Sequence, residues 1–306
     1  MSYIYEALLR AERERQSRQP EPPVPQPVPA ASVAAVPAPP EEFDYASGQI
    51  ARHDWDPSLP SFPTLAKHGR ALEQFRSLRS HIYQARNEMP LKTLLVSSGM
   101  PSEGKSFVTA NLAMSLARNS NNRILLIDGD LRRPSLHRLL GAPNDIGLAD
   151  YLAGTADLPA IMQRSSGATL NGGGGIPGLD GITFVPTGTG HDNQSELITN
   201  QRIKDLIAGV SDAFDWILID SPPALVFADA VDLARAADAV LLVVRGAQTT
   251  LDVAQRAKAS FSSSRILGVV LNDIKNPPRR ESYYDSYYYG KKDPEEAPAE
   301  TIEQVE

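Results

Sequence analysis

Between about residues 67 and 275 the apolar positions fall into short continuous runs, separated by longer segments with helical spacing. The runs are Thr93–Ser97, Arg123–Asp128, Ile182–Pro186, Trp216–Asp220, Ala239–Arg245 and Ile266–Asn272. Most lack polar interruptions, as expected of parallel strands covered on both faces. Between them, Ser106–Arg118, Ser135–Leu140, Ser195–Val210, Asp229–Ala237 and Thr250–Ser263 predict helices. This alternation predicts an α/β fold, a doubly wound and mostly parallel sheet whose ligands meet the carboxyl ends of the strands. Gly167 to Gly181 reads as a tolerated Gly-rich surface insertion without visible chemistry.

The flanks follow other patterns. Residues 1–19 predict a short amphipathic helix, with Ile4, Leu8 and Ala11 on one face and Tyr5 and Leu9 beside them. A helix of that length is marginal alone and needs something to dock on. Residues 20–66 read as a linker, Pro/Ala/Val-rich from Pro20 to Pro40 and therefore extended. Phe43, Tyr45, Trp55 and Phe62 follow without a period. Residues 276–306 read as a disordered tail in which five tyrosines, Tyr283, Tyr284, Tyr287, Tyr288 and Tyr289, stand within seven positions ahead of an acidic end.

Composition narrows the picture. The 306 residues suit one large domain or two small ones. A net charge of −7 argues against general nucleic-acid binding. The absence of cysteine excludes disulfides, thiolate metal sites and cysteine nucleophiles, and it fits a reducing compartment. No apolar run approaches the roughly 18–20 residues of a membrane span, and Met1 to Gln16 lacks the apolar centre of a signal peptide. Membrane association would therefore need a partner.

The chemistry begins at Gly99-Met100-Pro101-Ser102-Glu103-Gly104-Lys105-Ser106, between a predicted strand and a predicted helix. Gly, four residues, then Gly-Lys-Ser is the phosphate-binding loop. Successive backbone N–H groups form an anion nest backed by a helix N-terminus. Lys105 reaches the β/γ-phosphates in such a loop, and the Ser106 hydroxyl ligates Mg²⁺. Ile124-Leu125-Leu126-Ile127-Asp128-Gly129-Asp130 ends a buried strand in two carboxylates on the same side. Trp216-Ile217-Leu218-Ile219-Asp220 ends a second strand in another, the Walker B arrangement. Any one of these is an ordinary turn or cap residue. Three beside a phosphate loop point to a metal–nucleotide site.

These motifs together resemble the bacterial tyrosine kinases of capsule and exopolysaccharide synthesis. The phosphate loop has that family's Pro-x-Glu-Gly-Lys-Ser form, and Ile127-Asp128-Gly129-Asp130-Leu131-Arg132-Arg133-Pro134 matches its Walker A′ motif. Asp220-Ser221-Pro222-Pro223 matches its Walker B turn, and Glu73-x-x-Arg76-x-x-Arg79 its oligomerisation motif. Residues 2–16 resemble the opening of an exosortase-associated subgroup. Division-site and plasmid-partition ATPases share the fold but place a Lys where this chain has Met100, and they lack a tyrosine tail. Gln194 stands where the kinases usually have Pro.

The resemblance implies an ATP- and Mg²⁺-dependent protein-tyrosine autokinase that phosphorylates its tail tyrosines in a neighbouring subunit. It assigns residues 99–107, including Phe107, to nucleotide. Asp130 and Asp220 lean toward metal, and Asp128 toward accepting the tyrosine proton, although the residues alone leave the three roles undivided. Asn272 is a weaker expectation for the adenine edge, since Asn after a strand is also an ordinary turn residue. The partners implied are a homo-oligomer, a transmembrane chain-length or co-polymerase protein as activator, and a phosphatase. The location implied is the cytoplasm, with recruitment to the inner membrane. On a helix, Glu73, Arg76 and Arg79 fall within an arc of about 120°, an outward stripe free to pair with a neighbour. Two other readings stay open, an ATPase switch that acts on a partner without phosphorylating protein and a nucleotide-binding scaffold.

Overall fold

The computed structural model describes residues 50–66, 68–118, 122–167, 169–170, 174–189 and 200–274. The expected N-terminal helix, most of the linker and the tyrosine tail lie outside the described residues.

An eight-stranded sheet organises the described chain, built from β1 (Ala51–His53), β2 (Thr93–Ser98), β3 (Ile124–Asp128), β4 (Gln163–Ser165), β7 (Ile182–Val185), β8 (Trp216–Asp220), β9 (Ala239–Arg245) and β10 (Ile266–Asn272). The order across it is β1-β4-β7-β3-β8-β2-β9-β10. Every neighbouring pair is parallel except β4 with β7. The strand carrying the phosphate loop lies between the Walker B strand and β9, and β3 flanks the Walker B strand on its other side. This order brings the two acidic strand ends, with their three carboxylates, side by side at the carboxyl ends of β3 and β8.

Alternate residues of the central strands feed two cores. Ile124 and Leu126, Trp216 and Leu218, and Leu241 and Val243 face one layer, which holds α1 (Arg70–Glu88) and α2 (Lys105–Ala117). Leu125 and Ile127, Ile217 and Ile219, and Leu242 and Val244 face the other layer. That layer takes α4 (Leu148–Ala153), α5 (Asn200–Val210), α6 (Asp229–Ala234) and α7 (Leu251–Ser260), while the short α3 (Leu136–Leu140) packs with the first. Helix α2 is buried from Val108 through Ala117, because the sheet covers one side and α1 the other. Its helical pattern is therefore apolar all round rather than striped.

Two expectations about extent are corrected. The stretch 50–66, read as linker, is folded. β1 adds to β4, Trp55 and Phe62 are buried, and the Trp55 indole N–H donates to Gln163 Oε1 at 3.1 Å. Thr64 donates to Asn111 Oδ1 at 2.9 Å, and Asn111 donates back to the Ser61 carbonyl at 2.8 Å. The segment thus clasps α2 through a buried polar side chain, a long-range contact with no local period to announce it. The Gly-rich insertion contains a small antiparallel pair, β5 (Thr169–Leu170) with β6 (Gly174–Gly175).

The charged stripe on α1 is also not uniformly outward. Arg76 pairs with Glu73 at 2.7 Å on the exposed side. Arg79 donates to the Ser115 carbonyl at 2.7 Å and so ties α1 to the last turn of α2.

If residues 50–66 belong to the fold, Trp55→Ala should destabilise the protein by about 3–5 kcal/mol, the usual range for deleting a buried aromatic. Denaturant unfolding measures this, and a change below about 0.5 kcal/mol, typical of an exposed position, would return the segment to a linker.

Candidate active site

The phosphate loop is held in shape from outside. Ser102 (φ 64°) and Gly104 (φ 92°) both adopt left-handed backbone, the turn that lets successive N–H groups converge. At Gly104 this is easy, because it has no Cβ. A Cβ there would also lie 2.0 Å from Asn272 Nδ2. The loop carbonyls are drawn away by three donors. Ser98 Oγ donates to Met100 O at 2.8 Å, Arg245 to Ser102 O at 3.3 Å, and Asn272 Nδ2 to Glu103 O at 3.0 Å. In a trans peptide the C=O of one residue opposes the N–H of the next. Tying back the Ser102 and Glu103 carbonyls therefore turns the Glu103 and Gly104 N–H groups the opposite way.

The Glu103 carboxylate braces the same loop. It is buried, accepts the Met100 N–H at 2.7 Å and accepts the Thr249 hydroxyl. Arg245 is fixed in turn by Asp273 at 2.8 Å. So the Glu103 carboxylate serves the loop's conformation, while its N–H is among the groups turned toward the nest. Asn272, expected at the adenine edge, lies against the loop backbone, and the Phe107 ring packs 6.1 Å from Phe75 between α1 and α2. Arg245 and Thr249 were not singled out from sequence, and nothing local marks them, because they reach the loop from 143 and 146 residues away.

The carboxylates converge as expected. Asp128 and Asp220 are direct neighbours on β3 and β8, and Asp130 follows one turn residue later. Lys105 Nζ pairs with Asp130 Oδ2 at 2.9 Å. Burial alone would lower the Lys105 pKa, but Asp220, Asp130 and Asp128 outweigh it and raise it. Asp128 is fully buried. Its Oδ2 accepts the Ser135 and Leu136 N–H groups at 3.1 and 3.0 Å, and its Oδ1 accepts the Asp130 N–H at 3.3 Å. Desolvation, with Asp220 beside it, pushes its pKa up to about 8 despite those donors. Desolvation also raises Asp220 to about 6, with Lys105 and the Ser106 and Thr109 hydroxyls opposing the rise.

Asp220 Oδ2 is buried without a hydrogen-bond partner, next to Ser106. An orphaned carboxylate oxygen beside a hydroxyl is the donor set of a hard divalent cation completed by phosphate and water. The residues therefore fit Mg²⁺. Among the described residues no group of three or more His, Cys, Asp or Glu side chains is placed to hold a metal ion. Around the rim, Arg132 bridges to Asp229 at 2.9 Å and lies over the Phe227 ring at 4.3 Å, which fixes the Walker A′ turn against the start of α6.

Sheet order, phosphate loop and strand-terminal carboxylates define a P-loop nucleotide-binding protein, and residues 94–295 match the family described as CobQ/CobB/MinD/ParA nucleotide binding domain. Within that class, the chain belongs to the bacterial tyrosine-protein kinase family. It is 34% identical over 221 residues to the tyrosine-protein kinase Wzc of Salmonella typhimurium, covering 72% of this chain and 28% of that one. It is 32% identical over 224 residues to the tyrosine-protein kinase YwqD of Bacillus subtilis, covering 72% and 87%. The kinase domain of the Escherichia coli tyrosine kinase ETK superposes with a TM-score of 0.60 at 30% identity, over 68% of this chain and 78% of that one. The chain thus spans under a third of the length of Wzc but most of YwqD.

The buried carboxyls carry a pH signature. Both bind a proton more tightly in the folded protein than in the unfolded chain, whose aspartates titrate near 3.8. The unfolded state therefore holds fewer protons between that value and about 8, and stability falls as pH rises through the window. Without divalent cation or nucleotide, melting temperature should decline from pH 6 to about pH 8, and Asp128→Asn should flatten that decline. A wild-type melting temperature that is level across this range contradicts the assignment.

Proposed function

We propose that this chain is an ATP-dependent protein-tyrosine autokinase regulating exopolysaccharide or capsular polysaccharide biosynthesis and export. Its acceptors are Tyr283, Tyr284, Tyr287, Tyr288 and Tyr289 of a neighbouring copy. One observation carries the reading: a phosphate-loop lysine set among three buried strand-terminal carboxylates, in a chain that ends in clustered tyrosines and aligns with proteins named tyrosine kinases.

The residues divide the work as follows. Lys105 exchanges its Asp130 partner for the β/γ-phosphates, a charge-assisted contact that positions the transferring group. The Ser106 hydroxyl and Asp220, with Asp130 once Lys105 leaves it, would hold Mg²⁺. When bound with ATP, the metal neutralises charge on the phosphoryl group. The tyrosine oxygen bonds to the γ-phosphorus as the bond to ADP breaks, and the phenolic proton passes to Asp128. A free tyrosine titrates near 10, so a carboxylate within reach of its hydroxyl eases the loss of that proton. Asp128 also holds the Walker A′ turn through its three backbone contacts, so base and scaffold are one side chain.

Assembly uses the exposed half of the α1 stripe, Glu73 and Arg76, while Arg79 supports it from within. A transmembrane chain-length or co-polymerase protein is the activator and recruits the kinase to the cytoplasmic face of the inner membrane. A phosphatase resets it. No described helix is long and apolar enough to cross a membrane.

Two experiments test this. With labelled ATP, wild type plus activator should label tyrosine, and Lys105→Met should lose the label at least about a hundredfold while keeping its fold. A Lys105→Met chain with intact tail should accept label from an active chain whose five tail tyrosines are Phe. Free phosphate without phosphotyrosine would favour the ATPase-switch reading. Separately, Arg76→Glu should shrink the oligomer seen by light scattering with little change in melting temperature, whereas Arg79→Glu should lower stability. Unchanged oligomer size in Arg76→Glu leaves the stripe as ordinary surface.

A further inference from the structure

Strand β10 ends the sheet, and among the described residues no strand pairs with its outer side. In a parallel ladder, alternate residues direct their N–H and C=O groups away from the partner, so this edge presents a row of backbone donors and acceptors. It is also apolar. Val269 and Leu271 are 60% and 54% exposed, and their register places them beside Leu242 and Val244 of β9 on the sheet face that α7 covers further in. Ile266–Asn272 contains no charge and no proline, the usual devices that blunt an edge, and its irregularity is confined to Ile266/Gly268. Such an edge is a template for strand addition.

We propose that the occupant is the chain's own tyrosine segment, Tyr283–Tyr289, added antiparallel to β10. The chain leaves β10 at Asn272 and reaches Tyr283 after ten residues, among them Asn276-Pro277-Pro278, a sequence that favours reversal. The segment has seven residues and so does β10, about 23 Å at strand rise. Tyrosine is a strong strand former, and its ring covers aliphatic surface while its hydroxyl stays in water. Val269 and Leu271 offer that surface. The Pro-rich stretch 20–40 is a poorer occupant, since proline donates no ladder hydrogen bond.

Docked in this way, the acceptor tyrosines lie beside the active site but outside it, because β10 ends at Asn272 against the phosphate loop. Phosphorylation adds about −1.5 to −2 charges per tyrosine, and several such groups side by side on one strand repel one another and leave an apolar surface. The docking stands without the kinase activity proposed above; the release by phosphorylation rests on it.

Amide hydrogen exchange at residues 268–272 in the full, unphosphorylated chain tests the docking. Two full-length variants are compared with wild type, one with all five tail tyrosines changed to Ser and the other V269K/L271K. Both should exchange the outward amides at least about tenfold faster, as expected when a covering strand is lost. Equal rates in all three chains overturn the proposal. Protection that persists in the Tyr→Ser chain and grows with protein concentration assigns the edge to a second copy and also overturns it. Incubation with Mg-ATP should speed wild-type exchange in step with phosphotyrosine. If no phosphotyrosine forms, the kinase reading fails while the comparison of unphosphorylated chains still decides the docking.

Discussion

Three carboxylates share one ammonium at the carboxyl end of adjacent buried strands, and the rest of the structure is arranged around that imbalance. Asp128 and Asp220 sit opposite each other in register, with Asp130 on Lys105. Taken from water, this much negative charge is unfavourable unless it is neutralised by protons, donors or metal. Burial raises the pKa of both Asp128 and Asp220, backbone N–H groups point at Asp128, and Asp220 keeps an open oxygen whose surroundings fit a cation. A site that binds protons when empty is ready to exchange them for a divalent cation and a charged substrate.

Much of this was legible in the sequence, because the signals are local. Continuous apolar runs ending in Asp identify buried parallel strands and their chemistry at once, and the spacing from Gly99 to Ser106 dictates the turn between β2 and α2. What escaped is held by contacts distant in sequence. Trp55 and Phe62 stand in a Pro-rich, aperiodic stretch, and only the cores they enter explain them. Arg79 has the spacing of a surface charge on α1, yet a carbonyl at the end of α2 lies within reach and captures it. The short α4 and the three-residue strands β1 and β4 are too brief for periodicity to register.

The site's supporting shell was the least visible part. The side chains of Glu103 and Asn272 each act on the phosphate loop through hydrogen bonds to other protein groups, a task that the motif does not announce. A motif specifies which residue types surround a phosphate. It does not say which of them touch it and which hold the loop open. In this protein the second task is shared with Arg245, Thr249 and Asp273, from β9, the loop after it and the end of β10.

That sharing gives the sheet edge a mechanical connection to the chemistry. The peptide units presenting the Glu103 and Gly104 N–H groups are oriented by Arg245 and Asn272, and Asn272 is the last residue of β10. A strand gains order from each neighbour it pairs with, so whatever covers β10 also steadies the residue that aims the nest. The chain that leaves this strand leads directly to the tyrosines. Tyrosine segment, sheet edge and phosphate loop are therefore joined in one path of covalent backbone and hydrogen bonds, along which a change in charge on those tyrosines would have a physical route to the geometry of the nucleotide site.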